Sequence, residues 1–275
     1  MPDELLTRLR RFHDDAFPPY RQQFQKLVDE GQHPTTLFIG CSDSRLVPYL
    51  LTGAGPGELF LVRNVGAFIP PYDGYVHSPQ DADGGHPSGP IQSEAPRRWE
   101  GHHGTTAAIE FAVLNLHVHR IIVCGHSHCG AIKAMYGEVS PEAPNLNRWL
   151  DLGREALLPV RLFAPEAPAV AQPHGAETAA AAPDDGLRPE VLRRTEQRAV
   201  VLQLERLMEY PMVRSRVQSG QISLHGWHYV IEEGEVHVFD VESGRFVPAS
   251  AADHSGTGPY QPYVEHDGQI LSGGL

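Results

Sequence analysis

The chain has 275 residues, of which 41% are hydrophobic and 20% are charged, a composition typical of a soluble globular protein with a substantial core. The formal net charge of −12 argues against nucleic acid as a partner, because phosphate binding needs a basic surface. Only three cysteines are present, which argues against a disulfide framework and predicts reduced thiols in a reducing compartment.

Two helices are predicted at the N-terminus, within residues 1–34. Apolar residues recur there at helical spacing in two runs, Leu5, Leu6, Leu9 and Phe12, then Tyr20, Phe24, Leu27 and Val28. Gly31 is placed to end the second helix. The main domain is then expected to cover residues 35–248.

Three short apolar runs predict buried strands at Thr35–Gly40, Glu58–Arg63 and Arg120–Cys124. A helix is predicted between the second and third strands, over Thr105–Leu116, because its apolar residues fall on one face. Strand, loop, helix and strand in this order favour parallel strands joined by crossovers. The predicted fold class is therefore α/β, with a central, mostly parallel sheet flanked by helices.

Further along, a helix is predicted over residues 190–209, stopped by Pro211, followed by strands at Ser223–Ile231 and Glu235–Val241 around a Glu233-Gly234 turn. Two stretches, 70–104 and 165–189, are rich in Pro, Gly, Ala and Asp and are predicted to be long insertions. The tail 249–275 is similar in composition. The first insertion carries His77, His86, His102 and His103, which suggests either a proton-shuttling flap or a surface loop without catalytic part.

Residues that suit a metal ion occur in two motifs, Cys41-Ser42-Asp43-Ser44-Arg45 and His126-Ser127-His128-Cys129-Gly130. Two thiolates and an imidazole are ligands that zinc prefers, and three ligands instead of four leave a position for water, as in catalytic sites. Asp43 and Arg45 would hold or release that fourth position. Both motifs follow predicted strands, at the sheet edge where open α/β folds bind ligands.

Other histidines and cysteines have simpler interpretations. Cys41 and Cys129 could alternatively be buried thiols in strand-end turns. Cys124 lies inside an apolar strand and is interpreted as a core residue. His128 stands between His126 and Cys129, and a turn that directs those two at a metal should point His128 elsewhere.

The stretch Met1–Asp15 lacks an apolar run long enough for a signal peptide, and no stretch is long enough to span a bilayer. We therefore expect a cytoplasmic protein without a membrane partner. Enclosure in a larger intracellular assembly would be compatible with the same sequence.

The motifs together resemble the β-class carbonic anhydrases. The segments that carry the resemblance are CSDSR at 41–45, PGELFLVRNVG at 56–66, GTTAAIEFAVLNL at 104–116 and IIVCGHSHCGAIKA at 121–134. The resemblance is close over about residues 20–72 and 104–137, and looser over 190–242. It implies the reversible hydration of CO2 to bicarbonate and a proton by a zinc-bound hydroxide, with one Zn(2+) per subunit, in an enzyme of the lyase class.

The resemblance also implies a role for each matching residue. Cys41, His126 and Cys129 match the zinc ligands, and Asp43 with Arg45 matches the catalytic dyad. The residues that match substrate-binding positions are Gln32, Phe60, Val65, Phe111 and Gly130. The family supplies part of this pocket across a subunit interface, so a homodimer or a multiple of dimers is expected. The N-terminal helices have no obvious mate within the chain and are expected to pack on the partner.

A regulatory form of the family lets the aspartate close the zinc site while bicarbonate occupies a nearby pocket, so Asp43 is a further candidate ligand in a closed state. That pocket uses an arginine and a tyrosine, matched by Arg63 and Tyr229. It also uses a tryptophan, where this chain has Phe38, which has no N–H to donate. We therefore expect the form that is not switched by bicarbonate.

Two other functions are compatible with the same motifs. Related members of the superfamily hydrolyse carbonyl sulfide or carbon disulfide, which are linear like CO2, so the motifs do not separate these substrates. A non-catalytic zinc-binding assembly protein is the third hypothesis. The Asp43–Arg45 pair argues against it, because a purely structural site does not need that pair.

Overall fold

A computed structural model describes residues 4–72, 103–158 and 187–252 of the chain. The predicted insertions and the tail fall largely outside these ranges, and so do His77, His86 and His102 of the first insertion. The edges of the insertions are ordered parts of the fold. The Tyr72 ring lies 5.2 Å from that of Tyr210, centroid to centroid, and a helix already begins at Pro189.

A six-stranded sheet forms the centre of the protein, in the order β2-β1-β3-β4-β5-β6. Its strands are β1 (Thr36–Cys41), β2 (Leu59–Asn64), β3 (Arg120–His126), β4 (Ser223–Val230), β5 (Glu235–Asp240) and β6 (Arg245–Pro248). The first four strands in this order pair with one another in parallel, whereas β5 pairs antiparallel with both β4 and β6. Every residue of β1 is buried, as expected for a strand covered on both faces. The predicted α/β fold with a mostly parallel sheet is confirmed.

Eight α-helices are described: α1 (Glu4–Arg11), α2 (Arg21–Glu30), α3 (Pro48–Thr52), α4 (Gly104–Glu110), α5 (Gly130–Ala134), α6 (Pro144–Leu150), α7 (Pro189–Leu207) and α8 (Pro211–Gln218). The helix predicted over 105–116 is α4 continued by a π-helical turn, Phe111–Asn115. Pro211 lies in the first turn of α8, where its missing N–H is not needed, so it begins a helix as well as following one. The sequence did not predict α3, α5, α6, α8 or β6.

Helix α7 packs across β3 and β4. A Cβ placed on Gly125 would lie 2.7 Å from the Val200 Cγ2 atom, and one placed on Gly226 would lie 3.1 Å from the Leu204 Cδ1 atom. The two glycines therefore allow the helix to approach the strands closely. This contact brings α7 beside the carboxyl end of β3, where His126 lies.

Within the described ranges, the N-terminal helices make few contacts outside their own segment. No residue of α1 is buried, and Leu5, Leu9 and Phe12 are 68%, 62% and 51% exposed. Helix α2 contacts the loop before β2, where the Gln23 side-chain amide donates a hydrogen bond to the Pro56 carbonyl. Among the described helices, none combines the length and apolarity that crossing a membrane requires.

Candidate metal centre

The three predicted metal ligands come together at one edge of the sheet. Cys41 ends β1, His126 ends the neighbouring parallel strand β3, and Cys129 directly precedes α5. Their ligand atoms all lie within 4.8 Å of one another, and the residues are only 5%, 1% and 3% exposed. The parallel strands thus place side chains that are 85 residues apart in one buried cluster, since the carboxyl ends of parallel strands meet at one edge.

The donor atoms of this cluster fit a zinc ion. The Nδ1 atom of His126 lies 2.9 Å from the Ser127 carbonyl oxygen, which can only accept, so Nδ1 carries the hydrogen and Nε2 keeps its lone pair. That Nε2 atom is buried and has no hydrogen-bond partner within the described parts of the chain. A buried polar atom left in this way is costly, and a metal ion would satisfy it. Two sulfurs and one imidazole nitrogen are the donors that zinc favours.

The two thiols of the cluster contact each other. A hydrogen bond from the Cys129 thiol lowers the pKa of Cys41, and the reciprocal contact, together with burial, raises the pKa of Cys129. The Cys41 thiolate is therefore the easier of the two to form. Since a metal ligand must be a thiolate, a cation in this position would favour ionisation of both sulfurs.

Arg45 holds Asp43 in a bidentate ion pair beside the ligands. Its Nε donates to Asp43 Oδ1 at 2.9 Å and its Nη2 to Oδ2 at 2.8 Å, while its backbone N–H also donates to Oδ1 at 3.0 Å. These hydrogen bonds hold the pKa of Asp43 well below its usual range. Asp43 Oδ2 lies 3.8 Å from His126 Nε2, so an ionised carboxylate adjoins the ligand cluster.

Arg63 supports the same turn from β2, a role that the sequence analysis did not assign. Its Nε donates to the Cys41 carbonyl at 3.1 Å and its Nη2 to the Asp43 carbonyl at 2.7 Å. The two bonds fix the backbone on both sides of Ser42. The signal available in the sequence was an arginine near the carboxyl end of the strand adjacent to Cys41.

The second ligand turn is fixed by the end of β4. Ser127 Oγ donates to Glu232 Oε2 at 2.6 Å, and this bond, with a nearby backbone N–H, lowers the pKa of Glu232 to about 2. Arg193 on α7 donates to the other oxygen of Glu232 at 2.8 Å. His128 has a left-handed backbone with φ of 57°, and its exposed ring lies 3.4 Å from Glu232, outside the metal cluster.

Cys124 belongs to a different part of the interior. It is fully buried in a cluster with Phe38 and Ile122, and burial raises the pKa of its thiol well above the ordinary value. It is absent from the group of ligand atoms around Cys41. These features agree with its interpretation as a core residue.

Four of the five residues matched to substrate binding are exposed in a single chain, and the fifth, Phe60, is partly buried against the core. Phe111 and Val65 are 43% and 40% exposed, and Gln32 is also exposed. The Phe60 and Phe111 rings lie 5.8 Å apart and form one aromatic surface. A small cavity that reaches the ligands lies on the α7 side, and none of these four residues lines it.

Two buried polar side chains of α7 border that cavity and were not identified from the sequence. Gln203 is 1% exposed, and its Oε1 accepts a hydrogen bond from the Ile69 N–H at 2.7 Å. Glu196 is 2% exposed, and its Oε1 accepts one from the Cys129 N–H at 2.9 Å. The sequence signal that could have identified them is two polar residues seven positions apart, on the side of the helix that faces the core.

Comparisons with known proteins identify a family for the chain. The family model described as "Carbonic anhydrase" matches residues 36–236. The carbonic anhydrase of Synechococcus elongatus is 35% identical over 235 residues, which cover 85% of this chain and 70% of that protein. The carbonic anhydrase of Pseudomonas aeruginosa is 34% identical over 252 residues, covering 91% of this chain and 92% of that protein.

Solved structures give the same result. The β-carbonic anhydrase CcaA shares 31% sequence identity and a TM-score of 0.67, covering 89% of this chain and 97% of that chain. A Coccomyxa β-carbonic anhydrase, solved in complex with acetazolamide, shares 25% identity and a TM-score of 0.59 over 92% of this chain and 95% of that chain. With the family model extending from β1 into β5, these similarities show that the chain belongs to the β-class carbonic anhydrase family of lyases.

Proposed function

We propose that the chain catalyses the reversible hydration of CO2 to bicarbonate and a proton, with one zinc ion per subunit held by Cys41, His126 and Cys129. The observation that carries the proposal is the buried cluster of two sulfurs and one nitrogen, in which His126 Nε2 has no hydrogen-bond partner among the described residues. Three protein ligands leave one coordination position for the reaction.

Zinc, when bound, supplies the Lewis acidity that lowers the pKa of a coordinated water toward neutral pH. Asp43 would accept a hydrogen bond at that position and orient the nucleophile toward the carbon atom of CO2. Arg45 keeps Asp43 ionised and in place, because both carboxylate oxygens accept its hydrogen bonds.

The open form of the site is the one we propose, with Asp43 as an acceptor and not as a fourth ligand. The bidentate pair with Arg45 supports this proposal. Arg63 already donates hydrogen bonds to two backbone carbonyls, and Phe38, which has no side-chain donor, is fully buried against Trp227. Fewer hydrogen-bond donors are therefore left to bind bicarbonate in a nearby pocket.

The substrate pocket is proposed to form between two copies of the chain. CO2 is small and uncharged, so it needs an apolar wall, which Phe60, Val65 and Phe111 would provide. Gln32 and the Gly130 N–H would donate hydrogen bonds to its oxygens. The exposure of Val65 and Phe111 supports a homodimer, or a multiple of dimers, since one chain leaves these side chains uncovered. The three free, buried thiols support a cytoplasmic location.

A comparison of two buried cysteines tests the proposal. Cys41→Ala should abolish both zinc binding and CO2 hydration, measured by elemental analysis and stopped-flow pH indicator assays. Cys124→Ala is the matched control, because it also removes a buried thiol but should keep zinc at one per chain. Full zinc occupancy in Cys41→Ala would contradict the ligand assignment. A wild-type protein that holds zinc and hydrolyses carbonyl sulfide, but does not hydrate CO2, would contradict the substrate.

A further inference from the structure

Glu196 is a buried acid that the reaction described above does not use. It lies on α7, is 2% exposed, and is surrounded by apolar neighbours such as Ala199 and Val200. Burying a carboxylate is expensive unless both oxygens find hydrogen-bond donors. A leucine would fill the same space without that cost, so the interactions of the two oxygens explain why an acid stands here.

One oxygen of Glu196 contacts the proposed ligand Cys129. Oε1 accepts the Cys129 backbone N–H at 2.9 Å, across 67 residues of sequence. Cys129 lies directly before α5, at the N-terminus of that helix, so its backbone N–H is not part of the helical hydrogen-bond ladder. By accepting this hydrogen bond, the Glu196 carboxylate holds the backbone of Cys129 in place. The direction of its Cα–Cβ bond, and so the position of its sulfur, is thereby fixed.

The other oxygen of Glu196 is held from the sheet. Oε2 lies 3.2 Å from Nε2 of His228, which is fully buried on β4 opposite Gly125. The ring of His228 also packs edge-on against Phe246, with centroids 6.2 Å apart. His228 therefore prevents the carboxylate from turning away from Cys129, so that α7, β4 and the ligand turn are joined through one side chain.

We propose that Glu196 is a positioning residue of the metal centre. It acts through the Cys129 N–H and sets how tightly the site retains its metal and how the Cys129 sulfur is oriented. His228 keeps it in place. The inference rests on the proposed zinc centre and goes beyond it, because it assigns a role to a residue that touches neither metal nor substrate. Outer residues that orient metal ligands typically contribute about 10- to 100-fold to metal affinity.

The test compares variants of Glu196 with a matched control on the same helix. Glu196→Leu removes the acceptor but keeps the volume, and Glu196→Gln keeps an oxygen that can accept the Cys129 N–H. Thr195→Val is the control, because Thr195 is also fully buried and its hydroxyl bonds to Val191 and Tyr136, away from the ligand turn. Three quantities are measured for each protein: the rate of zinc release to a chelator, the sulfur-to-cobalt charge-transfer absorption of the Co(II)-substituted protein, and the midpoint of urea unfolding.

We expect Glu196→Leu to release zinc at least about 10-fold faster than wild type and to change the cobalt spectrum. Glu196→Gln should restore most of the retention, and Thr195→Val should release zinc at nearly the wild-type rate even if its urea midpoint falls. Equal release from Glu196→Leu and wild type would overturn the proposal, as would equal acceleration in Glu196→Leu and Thr195→Val.

Glu196→Asp replaces Glu196→Leu if the latter does not fold. It keeps the charge but shortens the side chain by one methylene, so faster zinc release supports positioning and an unchanged rate refutes it. Failure of the proposed function has a different signature. A wild-type protein that takes up no zinc contradicts the metal centre itself. If the wild type holds zinc and the Glu196 variants release it at the wild-type rate, only the role of Glu196 is contradicted.

Discussion

At the residue scale, the ion pair between Asp43 and Arg45 makes a sharp prediction about activity. Arg45→Ala should keep about one zinc per chain, since Arg45 is not a ligand, but should lower kcat/KM by about 100-fold or more, as expected when a catalytic hydrogen-bonding group loses its orientation. Stopped-flow hydration assays with metal analysis of the same samples measure both quantities.

The pH dependence of this variant follows from the direction of the pKa shift. Arg45 depresses the pKa of Asp43, so in the wild type the carboxylate stays ionised to below its usual range. Without Arg45 the pKa of Asp43 should rise, and the residual activity should be lost at a higher pH than in the wild type.

Arg154→Ala is the matched control for both measurements. Arg154 is another partly exposed arginine, paired with Asp151 at 2.6 Å and not in contact with the metal cluster, so its loss should leave turnover and the pH profile unchanged. Near-normal turnover in zinc-loaded Arg45→Ala would refute the assigned role of the pair.

The pKa of a second residue, His225, leads to a prediction of how the free energy of unfolding depends on pH. Burial, with a smaller effect of nearby Arg120, lowers the pKa of His225 to about 4. The unfolded chain binds the proton near the ordinary pKa of about 6.5, so stability due to the neutral ring is complete above that pH and is lost as the pH falls toward 4.

His225→Gln should therefore flatten the dependence of unfolding free energy on pH between 6.5 and 4. The difference in slope from wild type should reach at most about 1.4 kcal/mol per pH unit, the value for one proton. Urea unfolding at several pH values and fixed protein concentration measures it. Parallel curves for the two proteins would show that His225 titrates alike in both states.

At the scale of elements, the contact between α7 and β4 determines how the helix reaches the metal centre. A Cβ added at Gly226 would lie 3.1 Å from Leu204 and Val200 atoms and 3.2 Å from Phe239 Cβ. Gly226→Ala should lower the free energy of unfolding by about 1–3 kcal/mol, because overpacking forces the helix away from the strand.

The matched control is Gly137→Ala, where an added Cβ meets nothing within 4 Å. This exposed position should tolerate alanine with little change in stability. Urea unfolding of both variants at one protein concentration provides the comparison. If the two variants have the same free energy of unfolding, α7 can move away from β4 without loss of stability, which would contradict the prediction.

At the scale of the whole molecule, the exposed apolar side of α1 predicts self-association. Leu9→Asp puts a charge among Leu5, Leu9 and Phe12, all more than half exposed. The variant should therefore shift from dimer to monomer in light scattering. Its activity per chain should fall at dilution, because Gln32, Phe60 and Val65 are proposed to complete the site of a partner.

Thr7→Asp introduces the same charge on the opposite side of α1 and should leave the oligomer intact. This control separates loss of an apolar contact from a change of net charge. A monomeric wild type with full activity at assay concentration would contradict the shared substrate pocket.

Much of the fold and the inner site could be read from the sequence because their signals are local. The strands of the parallel sheet are short apolar runs, and Cys41, Asp43 and Arg45 lie within five residues, as do His126 and Cys129. Helices α3 and α6 escaped prediction because elements of five and seven residues are too short to show a helical period. Strand β6 has only four residues, too few to show the alternation of polar and apolar residues that indicates a strand.

What only the tertiary structure decided is the support around the metal centre. Arg63 reaches the carbonyls of Cys41 and Asp43 because of the register between β1 and β2. Glu196 reaches the Cys129 N–H because two glycines let α7 lie close to the sheet. Such bonds depend on strand register and on the rotation of a helix about its axis, which are fixed by packing over the whole core. Sequence by itself determined which residues could bind a metal, and packing decided which others hold them in place.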